Sequence, residues 1–264
     1  MVAANEDWDP PLCWMQPKYT GKEMKDESEE MSENLPSGVD ARGGIDDYHE
    51  DEEGAWWYRT YDVRRERDDK WAAAMRECGA LGDSIQWVPD GDALPDMAIS
   101  PVVLSMIAFR YMTLPAPPVT LSPSADNQKV NLETHATFHA PLDRVWVTAT
   151  FQDFGLDIAA TTVATPTELR IDAGTGHADP KFCTYSLDET EEGYKVNTAE
   201  ENCNITYRQS SGGDTYPLQV QIVWDITWTA TDNPDGPPQQ PAIPDGLSTD
   251  EVEVTVQEIQ TIVR

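Results

Sequence analysis

Basic residues are scarce in this chain of 264 residues. It has 18 Lys and Arg against 48 Asp and Glu, which gives a formal net charge of −30. Nucleic acids and anionic membrane surfaces are bound through basic patches that neutralise phosphate or lipid charge, so this composition argues against both as partners. We expect a protein partner with a basic surface, or a glycan, and no nucleic acid.

A long hydrophobic run is also missing. The most apolar window, residues 96–114, is interrupted by Pro101 and Arg110 and is too short to cross a bilayer. The first residues have neither the basic start nor the apolar run of a signal peptide. We therefore predict no membrane insertion, and we expect a secreted or cell-surface protein whose leader peptide has been removed.

Cysteine is rare and is not arranged for metal binding. Cys13, Cys78, Cys183 and Cys203 form no CxxC motif, and they lack the histidine partners of a zinc site. Three disulfide pairings are possible. Because two cysteines lie in each half of the chain, we predict structural disulfides Cys13–Cys78 and Cys183–Cys203. The alternative is four reduced thiols in a cytosolic protein.

No residue pattern is typical of a catalytic or cofactor-binding site. Residues 210–213 lack the spacing of a nucleophile elbow or a phosphate-binding loop. Acidic runs such as 188–192 lie in polar segments, whereas a glycosidase needs a buried carboxyl with a raised pKa and a partner carboxylate. Asp172, beside the glycines of the turn at 173–176, is a weak candidate metal ligand, although Asp and Gly are also ordinary turn residues. We predict no enzymatic activity and no cofactor, and a hydrolase of unrecognised type is the less favoured alternative.

Four regions differ in composition. They are an acidic, Pro-containing and largely irregular segment (1–54), a small α+β region (55–114), a Pro-rich connector (115–131) and a β-rich region (132–264). In the first, Thr20 can cap a short helix through residues 23–33. In the second, we predict a strand at 55–63, a helix at 64–78 and a buried helix near 98–112. We place the domain boundary in the connector, because its prolines cannot continue a helix.

Hydrophobic residues alternate with polar ones in the last region. The clearest run extends from Leu218 to Trp228, and a second covers residues 251–256. This period of two predicts half-buried strands. We expect Trp224 and Trp228 in the core, with Trp146 opposite them. Several such strands separated by turn residues favour an antiparallel β-sandwich.

Two segments of this region carry a family resemblance. Residues 164–172 with the turn at 173–176, and residues 203–207 with Gly213–Tyr216 and a long β run, resemble a PKD-like, immunoglobulin-type β-sandwich of secreted actinobacterial proteins. The Trp, Phe and second Asp of the usual PKD turn are replaced here. The resemblance implies architecture and an extracellular location, and it implies no catalysis. We expect a mainly β protein that acts in attachment or assembly through protein–protein contacts.

Three consecutive aromatic residues, Trp56, Trp57 and Tyr58, occur in the strand predicted at 55–63. Neighbouring side chains of a strand point to opposite faces, so the three cannot all face one side. One interpretation is packing between the two halves of the protein. The other is an exposed aromatic platform that stacks on sugars, which would make the protein a carbohydrate-binding module.

Overall fold

Antiparallel β-sheet dominates the structure. The computed structural model describes residues 2–3, 8–34, 45–62, 71–80, 82–199 and 203–258. Within these ranges the chain forms three α-helices: α1 (Gly21–Glu33), α2 (Trp71–Ala80) and α3 (Pro101–Tyr111). The strands of the described ranges are β1 (Val2–Ala3), β2 (Cys13–Tyr19), β3 (Gly54–Tyr61), β4 (Ile85–Pro89), β5 (Val119–Ser122), β6 (Gln128–Lys129), β7 (Glu133–Phe138), β8 (Val145–Asp153), β9 (Leu156–Asp172), β10 (Ala178–Asp179), β11 (Phe182–Thr190), β12 (Gly193–Val196), β13 (Ile205–Tyr207), β14 (Tyr216–Thr229), β15 (Gly246–Val254) and β16 (Val256–Gln257). The predicted mainly β class is confirmed.

The largest sheet has seven strands and is organised around β9, which is 17 residues long. On one side β9 pairs with β14, and the order continues to β15 and β1. On its other side β9 pairs with β8 along its first half and with β11 along its second half. Strands β8 and β11 therefore lie end to end along one edge of β9, and β12 extends the sheet beyond β11. The alternation at 218–228 corresponds to β14, in which Trp224 and Trp228 are buried as predicted.

Three smaller sheets complete the described part of the chain. Strands β10, β13, β7 and β5 form one, β2, β3 and β4 form another, and β6 pairs with β16 in parallel. The segment 1–54, predicted to be largely irregular, thus contributes β2 and α1. The predicted Thr20 cap of α1 is present, and the structure adds the reciprocal bond of a capping box: the Glu23 amide donates to Thr20 Oγ1 at 3.3 Å, and the Thr20 amide donates to the Glu23 carboxylate at 2.8 Å. Strand β2 is regular because it pairs with β3, and the composition of the segment did not indicate this pairing.

One hydrophobic core extends across the predicted connector. Helix α3 is capped by Ser100 and buries Leu104 and Phe109 in the same cluster of side chains as Leu169 and Trp224 of the large sheet. The Thr162 hydroxyl on β9 also donates to the Ser105 carbonyl of α3 at 2.7 Å. The segment 115–131 itself contributes β5 and β6, so the predicted boundary does not coincide with a break in the core.

Both predicted disulfides are present. Cys13 is bonded to Cys78, with Cα atoms 6.2 Å apart, and Cys183 is bonded to Cys203, with Cα atoms 5.2 Å apart. The first joins β2 to α2, where the predicted helix at 64–78 is described only from Trp71 onward. Two disulfides indicate an oxidising environment. None of the described helices is both long enough and apolar enough to cross a membrane.

Candidate functional site

The consecutive aromatics of β3 do not form an exposed platform. Trp56 and Trp57 are only 7% and 4% exposed, and Tyr58 is half-buried. Strand β3 is paired on both edges, with β2 and β4, and α1 contacts it. Trp57 packs in the main core, and the Trp56 indole donates to the Tyr48 carbonyl at 3.1 Å. The Tyr58 hydroxyl donates to the Met24 sulfur of α1 at 3.1 Å. These residues contribute to packing, because the neighbouring elements bury them.

An acidic cluster lies beside Trp56. The ligand-type atoms of Asp47, His49 and Glu52 all lie within 4.8 Å of one another. His49 Nδ1 is 2.9 Å from Glu52 Oε1, the His49 amide donates to Asp47 at 2.9 Å, and the imidazole stacks on Trp87 at 4.7 Å. These hydrogen bonds and ring contacts account for the arrangement without a bound ion.

Asp172 is the last residue of β9, and its side chain contacts the turn that follows. Its carboxylate accepts a hydrogen bond from the Gly174 amide at 3.0 Å. Gly174 has a positive φ of 69°, and a Cβ there would lie 2.2 Å from the Pro217 carbonyl oxygen, so a side chain has no room. In the described part of the chain, Asp172 is not a member of a three-residue group of possible metal ligands.

Trp146 is the most exposed tryptophan among the described residues, and it lines a cleft. Trp146 is 51% exposed, whereas the sequence predicted it in the core opposite Trp224 and Trp228. The prediction was wrong because the face of β8 that carries Trp146, Thr148 and Thr150 is open to solvent. The cleft has a volume of about 520 Å³ and lies between the start of β8 and the tip of the β11–β12 hairpin. Its lining residues are Asp143, Arg144, Trp146, Glu189, Thr190, Glu191, Gly193 and Tyr194.

A short backbone bridge joins the two walls of this cleft. The Leu142 amide donates to the Tyr194 carbonyl at 3.0 Å, and the Tyr194 amide donates to the Leu142 carbonyl at 2.7 Å. Gly193 makes this approach possible, because it has φ of 112° and a Cβ would lie 2.6 Å from the Leu142 carbonyl oxygen. The Thr190 hydroxyl donates to the Gly193 carbonyl at 2.6 Å and holds the hairpin tip.

The cleft carries an excess of negative charge. Its single cation, Arg144, is 2.6 Å from the Asp235 carboxylate, and this hydrogen bond raises the pKa of the guanidinium. Within the described residues, Asp143, Glu189 and Glu191 form no ion pair. Burial raises the pKa of the Tyr194 hydroxyl, and the nearby Glu189 raises it further. Three carboxylates and one guanidinium, which also interacts electrostatically with Glu189, therefore line the cleft beside an exposed indole.

Such a cleft can hold a cation or a polar ring. An indole face attracts Lys and Arg side chains, and it also stacks on sugars. Alternation along β8 was the signal that could have located it: Val145, Val147, Ala149 and Phe151 are apolar, so Trp146 lies on the opposite, polar face. No protein-family model, curated protein or solved structure matches the chain, so the cleft has to be interpreted from its own residues.

Proposed function

We propose that this protein is a secreted, non-enzymatic module that attaches to or assembles with a protein partner through a basic segment of that partner, bound in the Trp146 cleft. The observation that carries the proposal is a half-exposed indole in a cleft that three carboxylates and a single cation line. A Lys or Arg side chain satisfies both features at once, because it stacks on the ring and neutralises the carboxylates.

The whole-molecule charge supports the same class of partner. A net charge of −30 repels anionic ligands and accelerates encounter with a basic surface. Arg144 forms an ion pair with Asp235 and also interacts with Glu189, and the cleft keeps a net negative charge because its carboxylates outnumber its one cation. The cleft has the same sign of charge as the whole molecule, and three of its carboxylates lie close together.

Location and architecture are part of the proposal. The two disulfides support an extracellular or otherwise oxidising compartment, and we propose secretion with attachment at the cell surface. We further propose that residues 132–264 form a PKD-like, immunoglobulin-type sandwich, supported by antiparallel pairing throughout β7 to β15 of the described chain. The region 55–114 then supplies α3 as a covering element for this sandwich.

Carbohydrate binding is the second candidate. Exposed aromatic rings beside hydrogen-bonding carboxylates also suit a sugar, and Trp146 with Tyr194 offers that combination. An uncharged sugar adds no positive charge to a cleft that has three carboxylates and one cation, which is why the basic segment is favoured.

Calorimetric titration of the full chain tests the proposal. The probes are a ten-residue peptide of alternating lysine and threonine, the same peptide with glutamate for lysine, and neutral cello- and chito-oligosaccharides. We expect only the lysine peptide to bind, with an affinity that falls as salt is added because the contact is electrostatic.

Trp146→Ala is the decisive variant and Phe182→Ala is its control. Phe182 is 64% exposed and lies on β11 seven residues before Glu189, roughly 23 Å away along the strand. Loss of a cation–π contact of about 1–2 kcal/mol predicts roughly 5- to 30-fold weaker peptide binding for Trp146→Ala only. Equal effects of the two variants would refute the site, and oligosaccharide binding in place of peptide binding would favour the second candidate.

A further inference from the structure

Strand β8 has a free outer edge. It is nine residues long, and among the described residues it pairs only with β9. No described group outside this hairpin forms a hydrogen bond with a main-chain atom of residues 145–152. The inward side chains Val145, Val147, Ala149 and Phe151 pack against the core, and α3 contacts the strand, so its orientation is set by packing.

The turn that follows β8 determines which main-chain groups face outward. Phe154 and Gly155 have φ of 49° and 71°, which is the two-residue type I′ hairpin, and its first pair is Asp153 with Leu156. In such a hairpin, hydrogen-bonded and non-hydrogen-bonded pairs alternate from the turn. Residues 146, 148, 150 and 152 are then in non-hydrogen-bonded pairs and direct their N–H and C=O groups away from β9. The 2.8 Å contact between the Thr148 and Thr161 hydroxyls agrees with the closer side-chain spacing of such a pair.

The edge of β8 also lacks the usual protection of an exposed strand. Natural edge strands carry prolines, lysines or other charges that prevent pairing with another chain. The edge strand β2 contains Pro17 and Lys18, and the short β12 contains Lys195. Residues 145–152 contain no charged residue and no proline, in a chain of which 25% is charged.

We propose that β8 receives the partner's basic segment as an added β-strand. The outward main-chain groups of residues 146, 148, 150 and 152 pair with the segment. One Lys or Arg of the segment lies over Trp146, near Glu189 and Glu191. Trp146 belongs to both the strand and the cleft, so main-chain pairing and charge recognition are continuous. The nine residues provide an edge of about 30 Å. The inference rests on the proposed function and adds to it the extended conformation of the ligand.

Amide hydrogen exchange on the full chain, followed by NMR, tests this directly. In the free protein, the amides of residues 147, 149 and 151 are bonded to β9 and exchange slowly, whereas those of residues 148, 150 and 152 exchange fast. Saturation with the alternating lysine–threonine peptide slows the second set by at least about tenfold, because exchange then requires loss of the added strand. A peptide N-methylated at every second residue cannot pair on one of its edges and serves as the ligand control.

A pair of variants at Thr150 separates the main chain from the side chain. Thr150→Pro removes one outward N–H, whereas Thr150→Val keeps it and alters only the hydroxyl; we expect at least about tenfold weaker peptide binding for the proline variant alone. Peptide binding with unchanged exchange of the outward amides would overturn strand addition and leave the proposed function intact. Absence of any peptide binding would overturn the proposed function itself. The exchange experiment uses the unsubstituted protein, so misfolding of the proline variant does not affect it.

Discussion

Gly193→Ala is expected to separate the walls of the Trp146 cleft. The added Cβ lies 2.6 Å from the Leu142 carbonyl oxygen and 3.0 Å from the Asp143 carboxylate. The first of these atoms is backbone and cannot rotate away. The hairpin tip must therefore shift, and the two hydrogen bonds between Leu142 and Tyr194 are the contacts that it strains.

The cost has two parts. A φ of 112° disfavours any residue with a Cβ, by about 1–2 kcal/mol. Each hydrogen bond of the bridge contributes about 1 kcal/mol net, so loss of one or both brings the total to about 2–4 kcal/mol. For a chain of this size, that lowers the melting temperature by roughly 4–16 °C.

Gly212→Ala is the matched control for this substitution. Gly212 also has a positive φ, 67°, but a Cβ there meets no atom within 4 Å. It shares the conformational cost of about 1–2 kcal/mol without the steric one. Thermal unfolding by circular dichroism and titration with the lysine–threonine peptide should show a larger loss of stability for Gly193→Ala, and weaker binding for it alone. Equal melting temperatures and equal affinities in the two variants would refute the account of the cleft.

Five further predictions concern stability. Tyr207→Phe should stabilise the protein by about 1 kcal/mol, because the Tyr207 hydroxyl is buried without a partner among the described residues. Tyr185→Phe should destabilise it, since that hydroxyl donates to a carbonyl at 3.1 Å. Burial also raises the pKa of Tyr207, so the folded state keeps a proton that the unfolded chain releases near pH 10. The free energy of unfolding should therefore fall above about pH 10, and it should fall less steeply in Tyr207→Phe. Chemical denaturation at several pH values measures this. Replacing both Cys183 and Cys203 by serine should cost about 3 kcal/mol in a denaturant melt, because the bond closes a loop across a separation of 20 residues, and an unchanged midpoint would contradict this. A fragment of residues 132–264 should melt less cooperatively than the full chain in calorimetry, because it lacks α3; an independent, sharp transition would show that the shared core is not required.

Local patterns predicted several elements well. Alternation located β14 with its buried Trp224, and Thr20 as a capping residue located the start of α1. Both signals lie within a few residues of sequence, because strand pleating and helix capping are local effects. The acidic, Pro-containing segment 1–54 was harder, since β2 is ordered by pairing with β3, about 40 residues away.

Which aromatic residues are exposed was hard to predict for the same reason. Trp56 and Trp57 look suited to an exposed platform, yet strands and loops from elsewhere in the chain cover them. Trp146 looks like a core residue, yet its strand lies at a sheet edge. Exposure depends on which elements pack around a strand, and its own sequence does not specify them.

Acidity, the predominance of strands, the Thr20 cap and the pairing of the four cysteines could be predicted from the sequence, because composition, periodicity and spacing are properties of the chain. Tertiary structure alone decided that α3 shares the core of the large sheet, that Gly193 brings the hairpin tip against Leu142, and that Trp146 remains exposed beside Glu189. Each of these depends on residues dozens of positions apart, brought together when apolar surface is buried and main-chain hydrogen bonds are satisfied.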